Sequence, residues 1–374
     1  MPVSAPDTLT PTDSVAAPQG GLKRLGKAVL WLLAIVLLFE VGLRPFGYGS
    51  YVIYRPDQRL LWVPRAGSHK VTETNHQPIT ISEQGFRYRQ LLGTAHPGVY
   101  RIFAFGDSVT MGWGVGDDST YSGALETLLN AQGCPGPKFQ VISAGVNAYP
   151  NALVVERMKK VLEDNYQPDA VVVAYSFNTG FERLPELQGA ERQKFLRRVE
   201  LKSIARRSAI YNFLIEDLLR ELVYYRLREL LMQGSWNTAK EHPDLDVSHF
   251  TRGLEEAKAA ADARNVPLIL LLLGSEEEIG PEHPYQKAMV EFAQTNHVPL
   301  VNMIDVMRSQ NRKTMFMDHV HPTALGHALI AQQLASTVRG LNSYAAVCQS
   351  GSGNSRAAAV TVNAVPVNSG PKQP

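Results

Sequence analysis

Two short motifs in this chain carry the residue types of a nucleophile and its base. Phe105-Gly106-Asp107-Ser108 closes the apolar run 100–105, and Asp318-His319-Val320-His321-Pro322 stands just before a helical pattern. A serine at the exit of a buried strand is placed to attack an acyl carbon. Its hydroxyl is a poor nucleophile at neutral pH, so it needs a base within reach and a third group holding that base. His321 can be the base, and Asp318, three residues earlier, can orient the imidazole and stabilise the imidazolium. The chemistry expected is acyl transfer through a covalent intermediate, with Ser108 attacking an ester carbonyl.

Neither motif is specific alone. Gly-Asp-Ser recurs in ordinary turns, because Gly tolerates positive φ and Asp and Ser bond to nearby backbone. Two further segments strengthen the combination. Ser143-Ala144-Gly145-Val146-Asn147 follows the apolar run 139–142, and Ser176-Phe177-Asn178-Thr179 follows 170–175. Three strand-like runs therefore each end in a Gly or Asn where backbone or amide donors can converge.

With these four segments, over about residues 55–340, the chain resembles the SGNH, or GDSL-type, serine hydrolases. Gly106-Asp107-Ser108 matches the first family block, Gly145 the glycine of the second, Asn178 the asparagine of the third, and Asp318, His321 and Pro322 the last. Ser176 and Thr179 depart from the third block, which has Gly and Asp there. The resemblance implies a triad of Ser108, His321 and Asp318. It also implies an oxyanion hole made by the backbone N–H groups of Ser108 and Gly145 and the side-chain amide of Asn178. It implies neither a cofactor nor a metal.

Nearby candidates read differently. Asp107 adjoins Ser108, and adjacent side chains diverge, so it is expected to stabilise the turn. His319 would point away from the site on an extended loop. His327, one turn into the last helix, reads as a polar packing residue. A metal site from these groups lacks any helical His-x-x-x-His pair.

The elements that must position these residues follow from pattern. Strand-like runs lie at 100–105, 139–143, 169–175, 266–273 and 298–302, with helical patterns between them. Such alternation implies a parallel sheet with helices on both faces and strand C-terminal ends on one edge, where ligands bind. The fold expected is α/β, a three-layer α/β/α arrangement around a mostly parallel five-stranded sheet, which the resemblance makes flavodoxin-like. A small β-rich N-terminal segment (47–98) precedes the hydrolase domain (99–345). A helical insertion at 182–233 interrupts it, carrying Arg192, Lys194, Arg197, Arg198, Lys202, Arg206 and Arg207. That insertion either caps the active-site edge or is a solvated extra with no substrate contact, and its basic face suits anionic headgroups or an acidic glycan.

Residues 1–21 and 346–374 are Pro-, Ala-, Ser- or Gly-rich and are expected to be disordered. Between them, 22–46 reads as an uncleaved transmembrane signal anchor. Lys23, Arg24 and Lys27 precede the apolar run 28–39, Glu40 interrupts it, and Arg44 follows. A cleaved signal peptide would want an Ala-x-Ala-like site, and a buried soluble helix would seldom follow a basic leader. The charge bias puts the N-terminus in the cytoplasm and the bulk of the chain in the periplasm or outside the cell.

The 374 residues are 44% hydrophobic and 19% charged, with a formal net charge of +2 that gives no reason to expect nucleic acid. Cys134 and Cys348 lack metal-ligand spacing; they either pair outside the cytoplasm or are two free thiols. The function expected is a serine esterase acting on a short acyl, such as acetyl, ester of an envelope glycan or lipid. An O-acyltransferase using the same residues and a non-catalytic glycan-binding envelope protein remain open, as does the oligomeric state.

Overall fold

The alternating apolar runs become strands because β-branched and aromatic side chains fit a pleated, half-buried surface. The structure, a computed structural model, describes residues 19–73, 75–90, 92–93, 98–131, 137–176, 184–227, 247–274 and 284–350. Four short strands come first: β1 (Tyr54–Asp57), β2 (Leu61–Pro64), β3 (Gly67–Val71) and β4 (Pro78–Ile81). They pair as two antiparallel ribbons, β1 with β2 and β3 with β4. The main sheet is built from β5 (Val99–Phe105), β6 (Lys138–Ser143), β7 (Ala170–Tyr175), β8 (Leu268–Leu272) and β9 (Leu300–Asn302). Its order is β6-β5-β7-β8-β9, with every neighbouring pair parallel.

Side chains alternate across a strand, so each strand of this sheet feeds two cores. Phe103 and Phe105 of β5, Val171, Val173 and Tyr175 of β7, and Leu268, Leu270 and Leu272 of β8 face one side. There they meet α-helices later in the chain and the helix at Asn151–Glu163, through Leu153, Val154 and Met158. Tyr100, Ile102 and Ala104, Val172 and Ala174, and Ile269 and Leu271 face the other side. Burying each Val, Leu, Ile or Phe fully contributes about 1.5–3 kcal/mol, so both layers are held by the sheet itself. The Leu-rich run 266–273 forms an interior strand over Leu268–Leu272 rather than a helix, a short run covered on both faces.

The helices are α1 (Gln19–Leu43), α2 (Ser108–Met111), α3 (Tyr121–Ala131), α4 (Asn151–Glu163), α5 (Gly189–Ala205), α6 (Ala209–Tyr211), α7 (Ser248–Asp262), α8 (Pro284–Thr295), α9 (Met303–Arg308), α10 (Arg312–Met315), α11 (Ala324–Arg339) and α12 (Asn342–Ser350). A π-helix, Asn212–Leu227, continues from α6. Helices α4, α7 and α8 cover the first core, and α3 and α11 the second. The result is three layers, α/β/α.

Two element ends differ from the sequence expectation. The last helix runs to Ser350, beyond the expected start of a disordered tail at 346, because Tyr344, Val347 and Cys348 pack on the second core. Helix α1 already begins at Gln19. Residues 1–18, 228–246 and 351–374 lie outside the described residues, as does Cys134. Cys348 is disulfide-bonded.

Helix α1 and the single 3-10 turn after it, Arg44–Phe46, contain the stretch Lys23–Phe46, 24 residues with a mean hydropathy of 2.1 in its most apolar window, none of which is buried in the protein. About 20 residues span a bilayer core, so this helix is long and apolar enough to cross one, as an anchor or as a signal sequence.

Candidate active site

In an all-parallel sheet every strand C-terminus lies on one edge. Ser108 follows β5, Gly145 follows β6, and Ser176 follows β7 on that edge. The turn after β5 is tightly built. A Cβ on Gly106 would come 2.0 Å from Thr110 Oγ1, so only glycine fits there. Buried Asp107 caps α2: its Oδ1 accepts from the Val109 N–H at 2.9 Å. Its Oδ2 accepts from the Ser176 hydroxyl, tying the end of β7 to the turn that carries Ser108. Asp107 therefore acts on the turn, and Ser176, where the family pattern has glycine, supplies that tie.

Gly145 lies against the same turn. A Cβ there would sit 2.3 Å from the Met111 backbone N and 2.7 Å from the Thr110 carbonyl carbon. The Val146 N–H donates to Gly106 O at 3.1 Å, and the Ser143 hydroxyl to Thr110 O at 2.7 Å. The second strand end is thus held to the first through backbone contact that only glycine allows. Asn178 lies outside the described residues.

The loop before α11 brings His321 to Ser108. Asp318 Oδ1 accepts from the backbone N–H groups of Val320 (2.8 Å) and His321 (2.7 Å), and Oδ2 stands 2.8 Å from His321 Nδ1. With Nδ1 protonated against this carboxylate, Nε2 is left as the acceptor for the Ser108 hydroxyl, 2.9 Å away. The loop itself is pinned: Met317 N–H donates to His321 O, and Thr323 N–H to Met315 O. Burial alone would raise the Asp318 carboxyl. The His321 imidazole and the two backbone donors outweigh burial and hold it well below the usual carboxylate range. An arrangement of this kind can pass a proton from hydroxyl to imidazole while a fixed negative charge supports the imidazolium.

The other histidines sit apart from this relay. His327 is fully buried, accepts the Tyr121 N–H on Nδ1 at 3.2 Å and stacks on the Tyr121 ring. Burial, with lesser contributions from Arg87 and His321, pushes its pKa down to about 3, so it is neutral packing. His319 is part-buried on the loop, and the bond to Ser108 is made by His321 instead.

Sequence reasoning missed Trp113. Its ring stacks on His321, centroids 5.4 Å apart and planes 25° from parallel. The Arg220 guanidinium of the π-helix sits 5.4 Å from the same indole centroid. The one local hint is position, since Gly112-Trp113-Gly114 directly follows the helix that begins at Ser108. Beside this loop lies a shallow, partly open hollow lined by Val52, Val71, Ile79, Met111, Trp113 and Asn147 among others.

The family comparison agrees with this architecture. The sequence model of the GDSL-like Lipase/Acylhydrolase family matches residues 104–329, more than half of the chain. Among solved structures, the chain is similar to a G-D-S-L family lipolytic protein from Desulfitobacterium hafniense DCB-2, with 12% identity and a TM-score of 0.37, covering 63% of this chain and 98% of that one. It is similar to the esterase EstA from Pseudoalteromonas sp. (14% identity, TM-score 0.39, 64% of this chain and 96% of that one). A lipase/acylhydrolase from Enterococcus faecalis gives 16% identity and a TM-score of 0.39, over 64% of this chain and 96% of that one. No curated protein matches the sequence. By its family match over residues 104–329, which carry both motifs, this chain belongs to the GDSL-like lipase/acylhydrolases and is a hydrolase of ester bonds.

Proposed function

We propose that the chain is a membrane-anchored serine esterase that removes a short acyl group, such as acetyl, from an ester in the cell envelope. The observation that carries this reading is the continuous relay from Ser108 Oγ through His321 to Asp318, at 2.9 and 2.8 Å. Ser108 attacks the carbonyl while His321 takes its proton. The imidazolium gives that proton to the departing alcohol as the ester C–O bond breaks, and water activated by the same imidazole then hydrolyses the acyl-enzyme and regenerates Ser108. The tetrahedral oxyanion is met by the N–H groups of Ser108 and Gly145 and the amide of Asn178. The close backbone packing of Gly145 on α2 supports its part in that set.

The envelope location rests on three features. The apolar run 28–39 is exposed along its length, as a spanning helix would be. Lys23, Arg24 and Lys27 before it, against Arg44 after it, orient the catalytic part away from the cytoplasm. The disulfide at Cys348 suits an oxidising compartment. In this organisation 22–46 anchors the chain, and 99–345 is the hydrolase domain.

The test is p-nitrophenyl acetate hydrolysis by the full chain in detergent beside Ser108→Ala and His321→Ala. Loss of turnover in both variants, with folding unchanged, is expected. A folded but inactive wild type that a fluorophosphonate still labels at Ser108 would mean an acyltransferase awaiting its acceptor. Absence of both turnover and label would mean a binding protein.

A further inference from the structure

The π-helix has two chemically opposite faces. Phe213, Glu216, Asp217 and Arg220 turn toward the protein. Phe213 packs edge-on against Tyr48, Glu216 pairs with buried Arg206, Asp217 accepts from the Tyr51 hydroxyl at 2.9 Å, and Arg220 covers Trp113. Leu214, Ile215, Leu218, Leu219 and Leu222 turn outward, each 42–48% exposed. The spacing i, i+1, i+4, i+5, i+8 puts them on one stripe. Leu201 and Ile204 near the end of α5 are also exposed, at 57% and 56%. Exposed aliphatic side chains so grouped mark an interaction surface, not ordinary protein exterior.

The stripe begins where α1 ends. Glu40 in the last turns of α1 accepts from the Ser208 hydroxyl (2.8 Å) and from the backbone N–H groups of Ala209 (2.9 Å) and Ile210 (3.2 Å), the start of α6. Arg44 donates to Arg207 O, and the Gly49 N–H donates to Asn212 Oδ1 at 2.7 Å. The apolar surface of α1 and the apolar stripe are therefore joined through one hydrogen-bonded corner. Exposed Lys194, Arg197, Arg198, Lys202 and Arg207 lie in the same insertion, against exposed Glu191 and Glu200.

We infer that the apolar stripe Leu214–Leu222, flanked by the basic face of α5, is a second membrane contact that lies in the headgroup layer of the bilayer α1 crosses. This rests on reading α1 as an anchor. An amphipathic helix with aliphatic residues on one side and Lys and Arg beside them is the form that binds such an interface. Because the inward face of the same helix bears on Trp113, and Trp113 on His321, the contact holds the active-site edge beside the membrane surface. The ester served is accordingly one carried at that surface.

The full chain in lipid nanodiscs of phosphatidylethanolamine and phosphatidylglycerol tests this. A fluorescent NBD label is placed on Leu218→Cys, on Leu33→Cys in α1 and on exposed Lys287→Cys in α8, and quenching by brominated acyl chains is measured. Labelled wild type is subtracted. About twofold or greater quenching at 33 and at 218, with none at 287, is expected for an interfacial helix beside a spanning one. Quenching at 33 but not at 218 overturns the membrane contact and leaves the anchor standing. Quenching at neither position overturns both. A blue-shifted but unquenched label at 218 overturns it as well, because protein, either residues 228–246 or a second copy, would then cover the stripe. Equal quenching at 287 would show non-specific adsorption and also overturn it.

Discussion

The indole of Trp113 and the imidazole of His321 lie nearly parallel, their centroids 5.4 Å apart. The ring that faces the Ser108 hydroxyl is thereby held on its flat side by stacking and on its Nδ1 edge by Asp318. Loss of either restraint leaves the imidazole free to rotate away from Ser108, and the two losses should differ in kind.

Removing the stack should slow turnover without weakening binding. Aromatic pairs are worth about 0.5–1.5 kcal/mol beyond area burial, so Trp113→Ala is expected to lower kcat by up to about tenfold. Trp113→Phe should recover most of it. If KM rises while kcat holds, Trp113 contacts substrate instead of positioning His321.

Changing the carboxylate should do far more. In Asp318→Asn the side-chain oxygen can still accept the Val320 and His321 backbone N–H groups, so the loop keeps its form. The amide NH₂ then faces Nδ1 and favours the tautomer with Nε2 protonated, which cannot accept from Ser108. A fall of roughly 10³–10⁴-fold in kcat is expected with Tm little changed. A loss below tenfold in steady-state kinetics would remove Asp318 from the relay.

Gly145 cannot carry a side chain without displacing the Met111 amide. Forcing a methyl group into a closed site costs about 1–3 kcal/mol, so Gly145→Ala should lower thermal stability and activity together. Unchanged melting and turnover would mean that the strand end and α2 slide apart freely.

Where the helical insertion meets the N-terminal segment, Arg206 bonds the carboxylates of Glu73 and Glu216, all three nearly inaccessible to solvent. Breaking a buried ion pair by deleting one partner costs about 3–5 kcal/mol; Arg206→Met takes the cation from Glu73 and leaves Glu216 with Lys202 alone. A large drop in Tm is the expected outcome.

The same cluster sets a pH dependence. Burial would raise the Glu216 carboxyl, but Arg206 and Lys202 outweigh it and hold the pKa down at about 2 instead of 4.5. A lowered folded-state pKa adds stability that is complete above the unfolded value and is lost as pH falls toward the folded one. Thermal melts of wild type and Glu216→Gln should therefore differ most at neutral pH and converge between pH 4.5 and about 2. A gap independent of pH would contradict the assignment.

What could be read from the chain was what local sequence encodes. Short apolar runs set the strands and their two buried faces, because side chains alternate across a strand whatever lies beyond it. Gly106-Asp107-Ser108 and Asp318 to His321 could be read because a capped turn and a four-residue loop are closed by their own atoms. Tertiary structure decided the rest. Ser176 donates to Asp107, Trp113 stacks on His321, and Arg220 reaches Trp113, all across long separations in sequence. No periodicity marks such partners, since packing between distant segments depends on how whole layers meet. The outward stripe of the π-helix shows the same limit: leucines at that spacing could equally well have been core. Only the docking of Phe213, Glu216, Asp217 and Arg220 onto the protein leaves them facing out.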